Sequence, residues 1–146
     1  MKVSNKYASL LSALLVGVQV AIGVVAVMSG QDVALHWDIR GNVDETGSAC
    51  HLFLLPGISI IVFLLMTFFE VRPHYCNWPC RFNDGRKGYR LLGRLVGVLK
   101  LWVTAFLTFV AYEAYRGGRF SYAVAVVFLA AAVVAVCVFA VRLRRA

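Results

Sequence analysis

Charged residues are scarce in this sequence. Only 15% of the 146 residues are Asp, Glu, Lys or Arg and 61% are hydrophobic, a balance that excludes an ordinary water-soluble domain. Acidic residues are rarer than basic ones, with 7 Asp and Glu against 15 Lys and Arg, so the formal net charge is +8. The 10 Phe, 6 Tyr and 3 Trp also exclude a disordered or low-complexity segment. The composition therefore predicts a single transmembrane domain over residues 1–146.

Motifs that would indicate catalysis are missing as well. The chain has no glycine-rich phosphate loop, no dinucleotide fingerprint and no recognisable nucleophile–base pair. Cys76 and Cys80 have three residues between them, which is not the CxxC spacing of a metal or redox pair. The sequence therefore predicts a protein that is not an enzyme and has no cofactor.

Four apolar runs are long enough to cross a bilayer, which needs about 20 apolar residues per helix. They cover residues 8–29, 52–69, 91–112 and 120–141. The first run exceeds the apolar core of about 7 to 15 residues that is typical of a cleavable signal peptide, so we predict a retained helix. The predicted fold class is all-α, an integral membrane four-helix bundle.

Lys and Arg are distributed unevenly among the connections. Two precede the first span, five lie in the 70–90 loop, two in the third connection and three after the last span, against one in the 30–51 loop. The positive-inside rule therefore predicts cytoplasmic termini, a cytoplasmic basic loop at 70–90 and an outer loop at 30–51. Because these charges lie beside apolar spans, we expect contact with the lipid bilayer and none with nucleic acid.

Polar and small residues share one face in two of the spans. At about 100° per residue, each set falls within about 60° to 80° on the helical wheel, which predicts packing against protein rather than lipid. In the first span the set is Ser12, Gln19, Gly23, Ala26 and Gly30. In the third span it is Gly93, Gly97, Lys100, Thr104, Thr108 and Ala111. We expect Gln19 to make a hydrogen bond between helices, because an amide in hydrocarbon needs a partner.

Lys100 is the single charge well inside a predicted span. One interpretation is a functional intramembrane ammonium, with Glu70 at the end of the second span as its acidic partner. The other is a side chain that reaches lipid phosphates along its four-carbon stem, since Lys100 lies about two turns from the basic end of its span. The sequence leaves both interpretations open.

The 30–51 loop carries several side chains that can bind metal or form hydrogen bonds. They are His36, Asp38, Asp44, Glu45, Cys50 and His51. Gly41 and Asn42 predict a turn that folds the two acidic ends of the loop together. His36, Asp38 and His51 are weak metal candidates, because no HxxxH or HExxH spacing fixes their geometry, and hydrogen-bonded scaffolding is the favoured role.

The same loop resembles a known family. The residues that carry the resemblance are His36-Trp37-Asp38, Gly41, Asp44, Gly47-Ser48 and Leu54-Leu55-Pro56. The segment is similar to the membrane domain of unknown function at the N-terminal end of the Sdp immunity proteins, the bacterial family that protects a producer from its own sporulation-delaying toxin. The likeness extends over about residues 10–70. Ala49-Cys50 departs from the pattern, because the family usually carries a Lys and an aromatic residue there.

The resemblance implies a bacterial inner-membrane protein of an immunity or binding type. We expect the outer loop to receive a membrane-active peptide toxin or a membrane protein partner through His36, Trp37, Asp38, Gly41 and Asp44. One alternative is a small transporter or channel subunit, active as a homodimer, in which Lys100, Gln19 and Thr104 line a polar path. Others are a metal-dependent membrane enzyme at the outer loop and a structural subunit of a larger complex.

Overall fold

The structure, a computed structural model, describes residues 5–76 and 85–144. Within these ranges the chain forms four long helices, each long and apolar enough to cross a membrane. They are α1 (Lys6–Ser29), α2 (Leu54–Val71), α3 (Gly85–Arg116) and α4 (Tyr122–Arg144). The four predicted spans are confirmed as helices, and their length and composition are those of a multi-pass membrane protein.

The predicted all-α class is wrong for the 30–51 loop. Strands β1 (Val33–Trp37) and β2 (Val43–Gly47) pair there as an antiparallel hairpin, and a 3-10 helix (Ala49–Phe53) follows. The predicted turn between the strands is confirmed, because Gly41 has φ +84° and donates its N–H to the Asp38 carbonyl at 2.9 Å. That backbone conformation favours glycine. The β-branched and aromatic residues beside the turn favour strands once the hairpin has a surface to pack on.

Helix α3 occupies the centre of the molecule and packs against the other three helices. Helices α1 and α2 also pack against each other, so α1, α2 and α3 form a three-helix core. None of the residues in the most apolar 18-residue window of α4 is buried. The predicted four-helix bundle is therefore a three-helix core with α4 packed along the outside of α3.

The two predicted inward faces are confirmed. In α1, Ser12, Gln19, Gly23 and Ala26 are buried, whereas Gly30 is exposed because it ends the helix in the left-handed conformation at φ +63°. In α3, five of the six predicted residues are buried and Thr108 is half-buried. The two faces meet because α1 and α3 pack together, and this contact places their polar side chains next to each other.

The predicted 70–90 loop is shorter than expected. Helix α2 continues to Val71, a 3-10 turn spans Pro73–Tyr75, and α3 already begins at Gly85. Cys76 is half-buried, and burial raises the pKa of its thiol. Cys80 and the basic residues Lys2, Arg81 and Arg145 lie outside the described residues. We call the side of the molecule where α2 ends and α3 begins the basic end. The side that carries β1 and β2 is the hairpin end.

Candidate functional site

The hairpin is fixed to the α3–α4 connection by hydrogen bonds from both segments. Trp37 Nε1 donates to the Gly118 carbonyl at 3.1 Å, and the Phe120 N–H donates to the Gly41 carbonyl at 2.7 Å. The Tyr122 hydroxyl donates to the Asp38 carbonyl at 2.8 Å. These contacts join residues about eighty positions apart, so the hairpin and the connection form one unit.

Apolar packing supports the same attachment. Val33 of β1 is fully buried in an apolar cluster with Ala26 of α1, Leu52 of the 3-10 helix and Ala114 of α3. The partly buried Trp37 packs against this cluster. The rings of Trp37 and Phe120 lie 5.0 Å apart, centroid to centroid. Burial of one side of the hairpin stabilises a two-stranded sheet that would be marginal alone.

Asp38 organises the hairpin turn. Its carboxylate accepts hydrogen bonds from the N–H groups of Arg40 and Asn42, at 2.9 and 2.7 Å, and from the Asn42 side-chain amide at 3.1 Å. The Asn42 N–H, followed by the other turn donors, lowers the pKa of the Asp38 carboxyl below its usual value of 3.8. Asp38 therefore shapes the turn, and its oxygens are already engaged.

We expect this turn to resist acid. Because the folded pKa of Asp38 is lowered, its stabilisation of the turn is fully present above the ordinary pKa of 3.8. This stabilisation is lost only as the pH falls through the lowered pKa of Asp38 in the folded protein. Amide hydrogen exchange at Asn42 between pH 6 and pH 2 checks this, with Asp38→Asn as the control that has no charge to titrate. Loss of protection with a midpoint at or above the ordinary value would contradict the assignment.

His36 and Asp44 form an exposed pair on the hairpin. His36 Nδ1 lies 2.7 Å from Asp44 Oδ1, and the two side chains are 65% and 46% exposed. The sequence predicted both residues in the site but not their contact. The flanking pairs Ala34–Thr46 and Trp37–Val43 share one register, in which Asp44 lies opposite His36. The two side chains therefore meet across the strands, although a local irregularity pairs the His36 backbone with Glu45. The pair therefore lies on the exposed side of the hairpin.

The three weak metal candidates are not brought together as ligands. His36 pairs with Asp44, Asp38 caps the turn, and His51 Nδ1 contacts the Ser48 carbonyl at 2.9 Å. Across residues 5–76 and 85–144, the structure holds no group of three or more His, Cys, Asp or Glu side chains arranged to hold a metal ion. Each of the three side chains instead has a hydrogen-bond partner within the hairpin segment.

At the basic end, Lys100 and Glu70 form an ion pair inside the helix core. Lys100 Nζ lies 2.6 Å from Glu70 Oε2, and both side chains are fully buried. The ammonium also donates to Ser9 Oγ at 2.7 Å and to Thr67 Oγ1 at 3.2 Å. The predicted acidic partner is thus confirmed, and extension of Lys100 to the lipid is not. All three ammonium protons have an acceptor.

Glu70 joins the three core helices at one point. Its second oxygen, Oε1, accepts the Asn5 N–H at 2.6 Å, at the start of α1, where the helix dipole favours a negative charge. Gly97 of α3 permits the approach, because a Cβ at this position would lie 2.9 Å from Glu70 Oε1. Ser9 and Thr67 were not predicted from the sequence. A signal for Thr67 existed, since it lies three residues before Glu70 on the same helix face.

Gln19 forms a second polar contact further along the core. Its Nε2 donates to Thr108 Oγ1 at 2.9 Å and to the Thr104 carbonyl at 3.2 Å, and Ser59 donates to its Oε1 at 2.8 Å. The predicted hydrogen bond between helices is confirmed. The Thr104 hydroxyl donates back to carbonyls of its own helix, and the residue is fully buried. Ser12 Oγ is buried and has no hydrogen-bond partner among the described residues.

Comparison with family models, curated proteins and solved structures finds no match to this chain. The resemblance of the hairpin segment to the Sdp immunity proteins therefore stays a prediction. The site itself is defined by geometry: a hairpin fixed to the core, with an exposed His36–Asp44 pair on its free side.

Proposed function

We propose that this protein is a non-enzymatic inner-membrane protein of an immunity or binding type. In this proposal both termini lie in the cytoplasm, and the hairpin end faces outward and receives a membrane-active peptide or a membrane protein partner. The observation that carries the proposal is the hairpin, which is fixed on one side to α3 and the α3–α4 connection and exposes His36 and Asp44 on the other.

A fixed hairpin is well suited to binding. The cost of ordering a loop on association is reduced when the loop already has its bound shape, so the surface can gain affinity from few contacts. Strand β2 presents Asp44, Glu45 and Thr46 as exposed residues, and Ile39 beside the turn is 94% exposed. Charged and apolar groups side by side suit an amphipathic peptide at the membrane surface.

The mechanism in this proposal is sequestration. A peptide held at the hairpin end of α1, α3 and α4 is kept from inserting into the bilayer, and no chemical step is needed. Transport has less support, because the protons of Lys100 are all donated to Ser9, Thr67 and Glu70 and the Thr104 hydroxyl is turned to its own helix. A metal-dependent enzyme also has less support, because His36 and His51 contact different partners, Asp44 and the Ser48 carbonyl, and do not form one ligand set.

We expect His36→Ala to remove protection while the protein still reaches the membrane. Loss of a central polar contact at an interface costs about 1–2 kcal/mol, or roughly 5- to 30-fold in affinity. The measurement is the inhibitory concentration of a panel of membrane-active peptides for bacteria that carry the chain. His74→Ala is the matched control, because His74 is an exposed histidine within the 3-10 turn at the basic end.

The two variants separate the outcomes. The proposal predicts that the wild-type chain and His74→Ala raise the inhibitory concentration of at least one peptide and that His36→Ala does not. Full protection by His36→Ala, or no protection by the wild-type chain against any peptide, would contradict it.

A further inference from the structure

Two arginines from distant parts of the chain line one cleft at the hairpin end. Arg40 lies in the hairpin turn and Arg119 in the α3–α4 connection, and Arg119 Nε donates to the Arg40 carbonyl at 2.9 Å. The cleft is shallow and widely open at the surface, with a volume of about 410 Å³. Its other lining residues are Phe120, Ser121, Tyr122 and Ala123.

Neither guanidinium in the cleft is neutralised. In the part of the chain that the structure describes, no carboxylate lies within ion-pair distance of Arg40 or Arg119, whereas the neighbouring Arg116 pairs with Glu113 at 3.3 Å. The Asp38 carboxylate nearby is occupied by the amides of the turn. Two like charges held side by side repel each other, and a bound anion converts that repulsion into attraction.

The arginines also present suitable donors. The Arg40 side chain makes no hydrogen bond within residues 5–76 and 85–144, and Arg119 uses only its Nε, so the terminal nitrogens of both remain available. A guanidinium fork matches the oxygens of a phosphate group. Ser121 precedes α4, and its carbonyl accepts the N–H groups of Val124 and Ala125, so the positive end of the α4 dipole adds to the same cleft.

The position of the cleft indicates where the phosphate comes from. Trp37, Phe120 and Tyr122 pack in succession beside it, and the apolar length of α4 begins at Tyr122. Aromatic side chains of this kind collect at the level of lipid headgroups. We infer that the Arg40–Arg119 cleft binds the phosphate group of an anionic phospholipid in the leaflet at the hairpin end. This site is separate from the His36–Asp44 surface and does not depend on the proposed function.

The test is a lipid titration of the purified full-length protein followed by native mass spectrometry. The probes are phosphatidylglycerol, diacylglycerol with the same acyl chains and no phosphate, and inorganic phosphate. We expect phosphatidylglycerol to bind and diacylglycerol not to bind. Arg40→Gln should weaken phosphatidylglycerol binding about tenfold, since one charge-assisted contact is lost.

Arg40→Gln is the primary variant because the Arg40 side chain makes no hydrogen bond or ion pair among the described residues, and Arg40→Glu is a second variant with reversed charge. Arg94→Gln is the matched control, an exposed arginine near the basic end of α3 that should change binding less than twofold. If inorganic phosphate binds the wild-type protein as tightly as the lipid does and Arg40→Gln weakens it, the cleft is an anion site whose ligand is free phosphate. Equal lipid binding by Arg40→Gln, Arg40→Glu and the wild type, or equal binding of diacylglycerol, would overturn the inference.

Discussion

Replacing Lys100 by Met lowers the free energy of unfolding by about 3–5 kcal/mol, the cost of leaving one partner of a buried ion pair without the other. Glu70 would be left in the core without its cationic partner, with only the Asn5 N–H and the helix dipole beside it. The hydroxyls of Ser9 and Thr67 would lose their donor at the same time. Reversible unfolding of the purified protein in bicelles measures the effect.

The double variant Glu70→Gln, Lys100→Met is the control for this prediction. It removes both charges, and neutral groups of similar size recover much of the loss when a buried pair is replaced as a unit. The expected order of stability is therefore wild type, then the double variant, then Lys100→Met. A Lys100→Met protein within about 1 kcal/mol of the wild type would show that the pair does not hold the core together, because exposed pairs are worth that little.

Replacing Gly41 by Ala detaches the hairpin from the α3–α4 connection. Gly41 has φ +84°, and a Cβ there would lie 2.7 Å from the Phe120 carbonyl oxygen. The left-handed conformation costs about 1–2 kcal/mol for a residue with a side chain, and the clash with backbone adds to it. We expect faster amide exchange over β1 and β2, and loss of whatever the hairpin binds.

Gly30→Ala separates these two costs. Gly30 also has a left-handed backbone, with φ +63°, but a Cβ there has open space around it. This variant should pay only the conformational cost and should leave exchange in the hairpin nearly unchanged. Equal effects of Gly30→Ala and Gly41→Ala on hairpin exchange would contradict the close contact between Gly41 and Phe120.

The helices and their inward faces could be predicted from the sequence because both follow from local patterns. Apolar run length indicates a span, and the period of small and polar residues indicates its packed side. Partners for Gln19 and Lys100 could be predicted for a similar reason, because a polar side chain in an apolar span needs a hydrogen-bond or ion-pair partner. Glu70 could be proposed as that partner because it is the carboxylate at the matching end of the next span.

The hairpin and its attachment could not be predicted in the same way. Five-residue strands such as VALHW and VDETG have little periodicity of their own, so only the turn at Gly41 gave a local signal. What stabilises the strands is contact with Gly118, Phe120 and Tyr122, about eighty residues away. The contact between Arg40 and Arg119 could not be predicted for the same reason, because the two residues lie in different connections of the chain.

Native mass spectrometry of the protein extracted gently from its own membrane tests most directly whether the exposed side of the hairpin receives a peptide or protein partner. We expect a bound peptide or protein mass on the wild-type chain that is lost from His36→Ala and kept by His74→Ala. A wild-type spectrum with no such mass, or the same mass on His36→Ala, would contradict it.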